Sequence, residues 1–90
     1  MEAEKVQEVI QLYRREFEAT GVGKTKYPHG KSLDQSSHSL EHCHAMLDDM
    51  DEFLKEGRTD KVFRWLGFIQ GVLWAQGLYS LTELTGHNRP

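Results

Sequence analysis

Four of the five histidines fall between His29 and His44. His38 and His42 are four residues apart, so on a helix they share a face and their ring nitrogens could close on one metal ion. Glu41, Cys43 and His44 lie in the same stretch, but a helix spreads them around its circumference, and no second pair with ligand spacing occurs elsewhere. His38 and His42 are therefore weak metal candidates. The expectation is that no metal or other cofactor is required, and that the histidines serve as exposed, helix-capping or subunit-bridging groups. With an ordinary imidazole pKa of about 6.5, they could still make binding or assembly sensitive to pH.

Overlapping the start of this cluster is a cationic, glycine-containing stretch, Gly21 to Gln35, in which only Asp34 opposes Lys24, Lys26 and Lys31. Thr20-Gly21-Val22-Gly23-Lys24-Thr25 resembles the end of a phosphate-binding P-loop. The full pattern requires a glycine five residues before Gly23, where Glu18 stands, and a strand before the loop, where the pattern here is helical. Nucleotide hydrolysis on that motif is excluded. Its physical basis survives: glycines expose backbone N–H groups, and adjacent lysines attract anions. Lys24, Lys26 and Lys31 are thus candidates for contacting phosphates, with Tyr27 available to stack on a base; a plain flexible connector is the competing reading. Asp48, Asp49, Asp51, Glu52 and Glu56 suggest the magnesium-binding carboxylates of all-α nucleotide pyrophosphohydrolases, but a facing helix would have to supply a second acidic cluster, and only Asp60 is on offer. A solvated acidic face is expected instead. Cys43 sits on an apolar stripe, which removes it as a nucleophile, and no catalytic triad can be assembled. The chain is expected not to be an enzyme.

The elements that must position these residues are helical. Val6, Val9, Ile10, Tyr13 and Phe17 form one apolar stripe, predicting a helix over about 4–19 closed by Gly21. Leu40, Cys43, Leu47, Met50 and Leu54 alternate three and four apart, predicting a helix over about 36–56, capped by Ser36 or Ser37 and ended by Gly57. Thr59 or Asp60 would cap a helix over about 60–76, ended by Gly77. So short a break between the last two forces an antiparallel hairpin. Ser80-Leu81-Thr82-Glu83 is a capping-box pattern opening a short C-terminal turn, Leu81 to Leu84.

The third helix carries more apolar surface than one partner can cover. Val62, Trp65, Leu66, Ile69, Val72 and Leu73 form the main stripe, while Phe63 and Trp74 lie on another side near Gly67 and Gly71, and Phe68 takes a third bearing. Two glycines four apart clear a track for close backbone approach. Phe63, Gly67, Gly71 and Trp74 therefore predict a second packing face, covered either by the first helix of the same chain or by a further subunit. Trp65, Trp74, Phe63 and Phe68 could stack on a base or another flat ligand, although aromatics at helical spacing more often belong to a core, and Arg64 stands beside Phe63 and Trp65 and could meet solvent or an anion.

The composition bounds the rest. At 90 residues, 38% hydrophobic and 28% charged, the chain reads as a single helical domain, 1–90, short enough that oligomerisation is a common remedy for marginal stability. A net charge of −3 disfavours nucleic acid polymers and anionic membranes. One cysteine permits no intrachain disulfide. Met1 to Lys5 has neither the basic nor the apolar region of a signal peptide, and no apolar run could span a membrane, so a cytoplasmic location is expected.

The C-terminal part, Lys61-Val62-Phe63-Arg64-Trp65-Leu66-Gly67-Phe68-Ile69-Gln70-Gly71-Val72-Leu73-Trp74 and on through Leu81 to Pro90, resembles small proteins of tailed-phage and prophage genomes. The layout is more weakly similar to phage helical-hairpin proteins that sequester cyclic-nucleotide immune signals, the anti-CBASS and anti-Thoeris sponges. The matching piece is Arg64-Trp65 with Gln70 and Leu73. The resemblance implies a non-enzymatic anti-defence protein in the host cytoplasm, a homo-oligomer binding a cyclic nucleotide at subunit interfaces. Lys24, Lys26 and Lys31 would meet phosphates, Tyr27 or Trp74 would stack on a base and Arg64 would clamp the far side. The alternative is an interaction protein that blocks a host protein through its acidic helix or exposed aromatics; a metal-dependent enzyme using His38 and His42 ranks last.

Overall fold

The apolar stripes read from the sequence become the helices. A computed structural model describes all residues, Met1–Pro90, as α1 (Ala3–Ala19), α2 (His38–Lys55), α3 (Thr59–Ala75) and α4 (Leu81–His87), with no strand. Gly21, Gly57 and Gly77 follow the three long helices with φ of 75°, 75° and 78°, the left-handed conformation that closes a helix end and that glycine adopts without a Cβ penalty.

Two expected caps do not form. Ser36 and Ser37 present no side-chain cap to α2; Ser37 is itself in the right-handed helical region, and the carbonyls of Gln35, Ser36 and Ser37 take the N–H groups of His38, Ser39 and Leu40 in tight three-residue turns. The helix begins at His38, later than 36, because the turn already satisfies its first donors. At α3 the cap position is Arg58, with no side-chain acceptor, and Thr59 and Asp60 are already inside the helix. The C-terminal capping box does form: Glu83 N–H donates to Ser80 Oγ (3.1 Å), and Ser80 N–H donates to the Glu83 carboxylate (3.0 Å). It starts a helix that runs past Leu84 to His87.

α2 and α3 make the antiparallel hairpin, with Phe53 edge-on to Trp65 near the tip and Gln76 Nε2 donating to the Ser36 carbonyl at the open end. α1 lies antiparallel along α2, with Arg14 bridging Asp48 and Asp51 and Phe17 against His44. Val6, Val9, Ile10, Tyr13 and Phe17 of α1 join Cys43, Leu47 and Met50 of α2, Val62, Leu66, Ile69 and Leu73 of α3, and Leu84 of α4 in one buried cluster. α4 is fastened by polar groups as well. Gln70 and Asn88 exchange amide hydrogen bonds (2.7 and 3.1 Å), and buried Tyr13 Oη accepts from Gln70 Nε2 and lies 3.0 Å from His87 Nδ1.

α2 is the principal cover of the main stripe of α3, with α1 lying on α2 and completing the same buried cluster, and the second face of α3 stays open. Phe63 and Trp74 are 38% and 53% exposed, and a Cβ added at Gly67 or Gly71 would meet nothing within 4 Å. No helix is long and apolar enough to cross a membrane.

A candidate ligand-binding cleft under the 22–37 segment

The segment between α1 and α2 is a strap laid back along α2. Val22 N–H donates to the Phe17 carbonyl, and its own carbonyl lies 2.9 Å from buried His44 Nδ1, which fixes the proton on that nitrogen. His44 Nε2 faces inward with no hydrogen-bond partner, the ring lying tilted against Phe17. Further along, Lys24 pairs with Asp48 (2.9 Å) and Lys26 with Asp49 (3.0 Å). Burial pushes the Asp48 carboxyl upward, but the hydrogen bonds and charges of Lys24 and Arg14 overcome it and hold the group below its ordinary value. The strap is then tied to the first turns of α2, where Thr25 N–H donates to the Glu41 carbonyl.

Tyr27 is the hub. Its N–H donates to His42 Nδ1 (3.0 Å), its hydroxyl donates to Glu41 (3.2 Å), and its ring stacks on His38 at 5.2 Å with planes 9° apart. The i, i+4 histidine pair thus serves a tyrosine. Because Nδ1 of His42 is the acceptor, its neutral ring carries the proton on Nε2 and offers a donor there rather than a metal-binding lone pair. No group of three or more His, Cys, Asp or Glu side chains converges on one point.

Beyond Tyr27 the strap turns away and leaves an open cleft of about 160 Å³, lined by Tyr27, Pro28, His29, Lys31, Leu33, Ser39 and His42 and walled on the α3 side by Phe68. An adjoining hollow of about 260 Å³ shares Tyr27, Pro28, Lys31 and Leu33 and adds Ser32, Asp34 and His38. Phe68 is 55% exposed, so its ring face is open to a ligand. The His29 and His42 rings meet edge to face at 6.3 Å.

The residues expected to bind a ligand are divided by the fold. Tyr27 and Lys31 meet in the cleft. Lys24 and Lys26 are spent in ion pairs with α2. Arg64 lies in a shallow groove at the hairpin tip with Gly57, Arg58, Thr59, Asp60 and Lys61, one turn before Phe68 on α3. Trp74 stands on the open face of α3, away from the cleft wall. His29, Leu33 and Ser39 join the site without having been singled out for it; Phe68, one of the aromatics that could stack on a flat ligand, stands at the cleft because its bearing fits neither the buried stripe nor the glycine track. Burial pushes the Cys43 thiol up to about 12, so it stays protonated and inert. Comparison of the chain with protein-family models, with curated proteins and with solved structures found no match.

Proposed function

We propose that the chain is a non-catalytic binding protein whose ligand is a small, flat anion of the nucleotide class, seated in the cleft between the strap and Phe68. The observation that carries this reading is the placement of Lys31, the one strap lysine without a carboxylate partner, beside the exposed Phe68 ring and the half-buried Tyr27 ring. A base would lie against the aromatic rings, where each stacking contact contributes about 1–3 kcal/mol. The phosphate would face Lys31 ammonium, with the imidazoles of His29 and His42 beside it as donors. The hollows, about 160 and 260 Å³, are each smaller than the roughly 300–1,000 Å³ typical of ligand pockets, and as adjoining spaces they suit no more than one nucleotide unit. A larger cyclic nucleotide would bridge copies of the chain, in keeping with sequestration by a homo-oligomer, the role implied by the phage resemblance.

Calorimetric titration with mononucleotides and with cyclic di- and trinucleotides tests the reading. Heat of binding is expected for the wild type and is expected to vanish in Lys31→Glu and Phe68→Ser proteins that keep their helical circular dichroism. Absence of heat and of any thermal shift with every nucleotide would overturn it.

A further inference from the structure

We infer that the open face of α3 is a self-complementary docking surface for a second copy of this chain, in which Trp74 of each copy enters a groove beside Gly67 of the other. Three observations meet on this face. Trp74 is 53% exposed and Phe63 38% exposed, both turned away from the core. Gly67 and Gly71 lie between them with open space where a Cβ would stand. Next to Gly67 is a groove of about 170 Å³ walled by Met1, Phe63, Leu66, Gln70 and Asn88. The groove is the second feature that a glycine track alone would lack, because it supplies a socket for a large side chain.

The spacing and charge on this face fit a second copy set antiparallel. At about 100° per residue, Phe63, Gly67, Gly71 and Trp74 fall within one face of α3. A two-fold axis level with Ile69 sets two α3 helices antiparallel, Gly67 opposite Gly71 of the second copy and Arg64 opposite Trp74. Helical side chains lean toward their own N-terminus, so in the antiparallel pair Trp74 leans from the level of Arg64 toward Gly67 of the other copy, where the groove opens. The same contact forms twice, as a closed two-fold interface requires. Charge discriminates in the same direction. A parallel pair would stack Arg64 on Arg64 and Asp60 on Asp60, whereas the antiparallel pair presents Arg64, which has no ion-pair partner within the chain, to an indole face. α3 is 17 residues long and spans about 25 Å at 1.5 Å per residue. One such helix pair covers less than the roughly 800 Å² per partner of stable complexes, so the dimer forms reversibly with concentration.

Sedimentation of the full chain at micromolar and millimolar concentration tests the inference. The wild type is expected to pass from monomer to dimer mass as concentration rises. Trp74→Ser and Gly67→Gln, neither of which removes a core contact, should raise the dimer dissociation constant roughly tenfold or more with helical circular dichroism unchanged. A mixture of Gly67→Cys and Gly71→Cys chains should oxidise to linked dimers faster than either alone, since only the mixture places two thiols opposite each other. A wild type that stays monomeric throughout, leaving the face for a different protein, would overturn the inference, and so would a dimer indifferent to both substitutions. Tyr27, Lys31 and Phe68 lie off this face, so nucleotide binding and pairing can fail independently.

Discussion

At the scale of single residues, the most informative group is His42, because its role depends on one nitrogen staying unprotonated. Burial first, then the neighbouring His29 and Lys26 charges, hold its pKa below the ordinary 6.5. Its Nδ1 accepts the Tyr27 N–H, and a proton there would set two donors against each other. The neutral ring therefore stabilises the strap fully above pH 6.5, and that contribution is lost as pH falls through the lowered value of the folded state. The expected outcome is a Tyr27 amide that loses its protection factor as pH falls below about 6.5, while Leu47 in mid-α2 keeps its own; His42→Gln should remove the pH dependence. Tyr27 protection that is level across this range would show that the latch lies elsewhere. The helical spacing of His38 and His42 was readable in the sequence. Their attachment to Tyr27 was not, because the hydrogen bond joins residues 15 apart and depends on the path of an irregular segment. Lys24 and Lys26 likewise looked available to a ligand until the strap placed them over Asp48 and Asp49.

Among the elements, α1, α2 and α3 follow from periodicity because each buries a continuous stripe, and three glycines mark their ends by conformation rather than by composition alone. The starts were less legible. A serine, threonine or aspartate before an apolar run is only a cap where the preceding backbone is extended, as at Ser80 with ψ of 165°; Ser37 has ψ of −24°. α4 is the element most dependent on its cap, since seven residues form too short a helix to persist on propensity. Ser80→Ala is expected to cost about 1 kcal/mol in urea denaturation, with the loss concentrated in α4. Nuclear magnetic resonance should then show the Leu84 methyls and the Tyr13 and His87 rings shifting together, because Leu84, Tyr13 and His87 pack where α4 meets the core. Shifts confined to residues 80–83 would mean that α4 is held by Gln70 and Asn88 rather than by its first turn.

On the scale of the whole molecule, the question the sequence left open was what α1 covers. It showed two apolar sides on α3 and could not say whether α1 or a further copy lay on either, since a helix wheel ranks faces but does not pair them. The structure lays α1 along α2 and seats Ile10 at 0% exposure in the cluster that also holds the main stripe of α3. If α1 is part of the single core, truncating Ile10 must cost what truncation inside a core costs. Ile10→Ala is expected to lower unfolding stability by about 2–5 kcal/mol. A domain of this size has only about 5–15 kcal/mol in total, so the variant would stand close to its unfolding threshold. The urea midpoint should fall in one cooperative step with its slope unchanged, because the whole cluster melts as a unit. A loss under about 1 kcal/mol, or an early separate transition for α1, would mean that α1 is an appendage. The hairpin would then carry the fold alone and present its main stripe, as well as the glycine face, to other molecules.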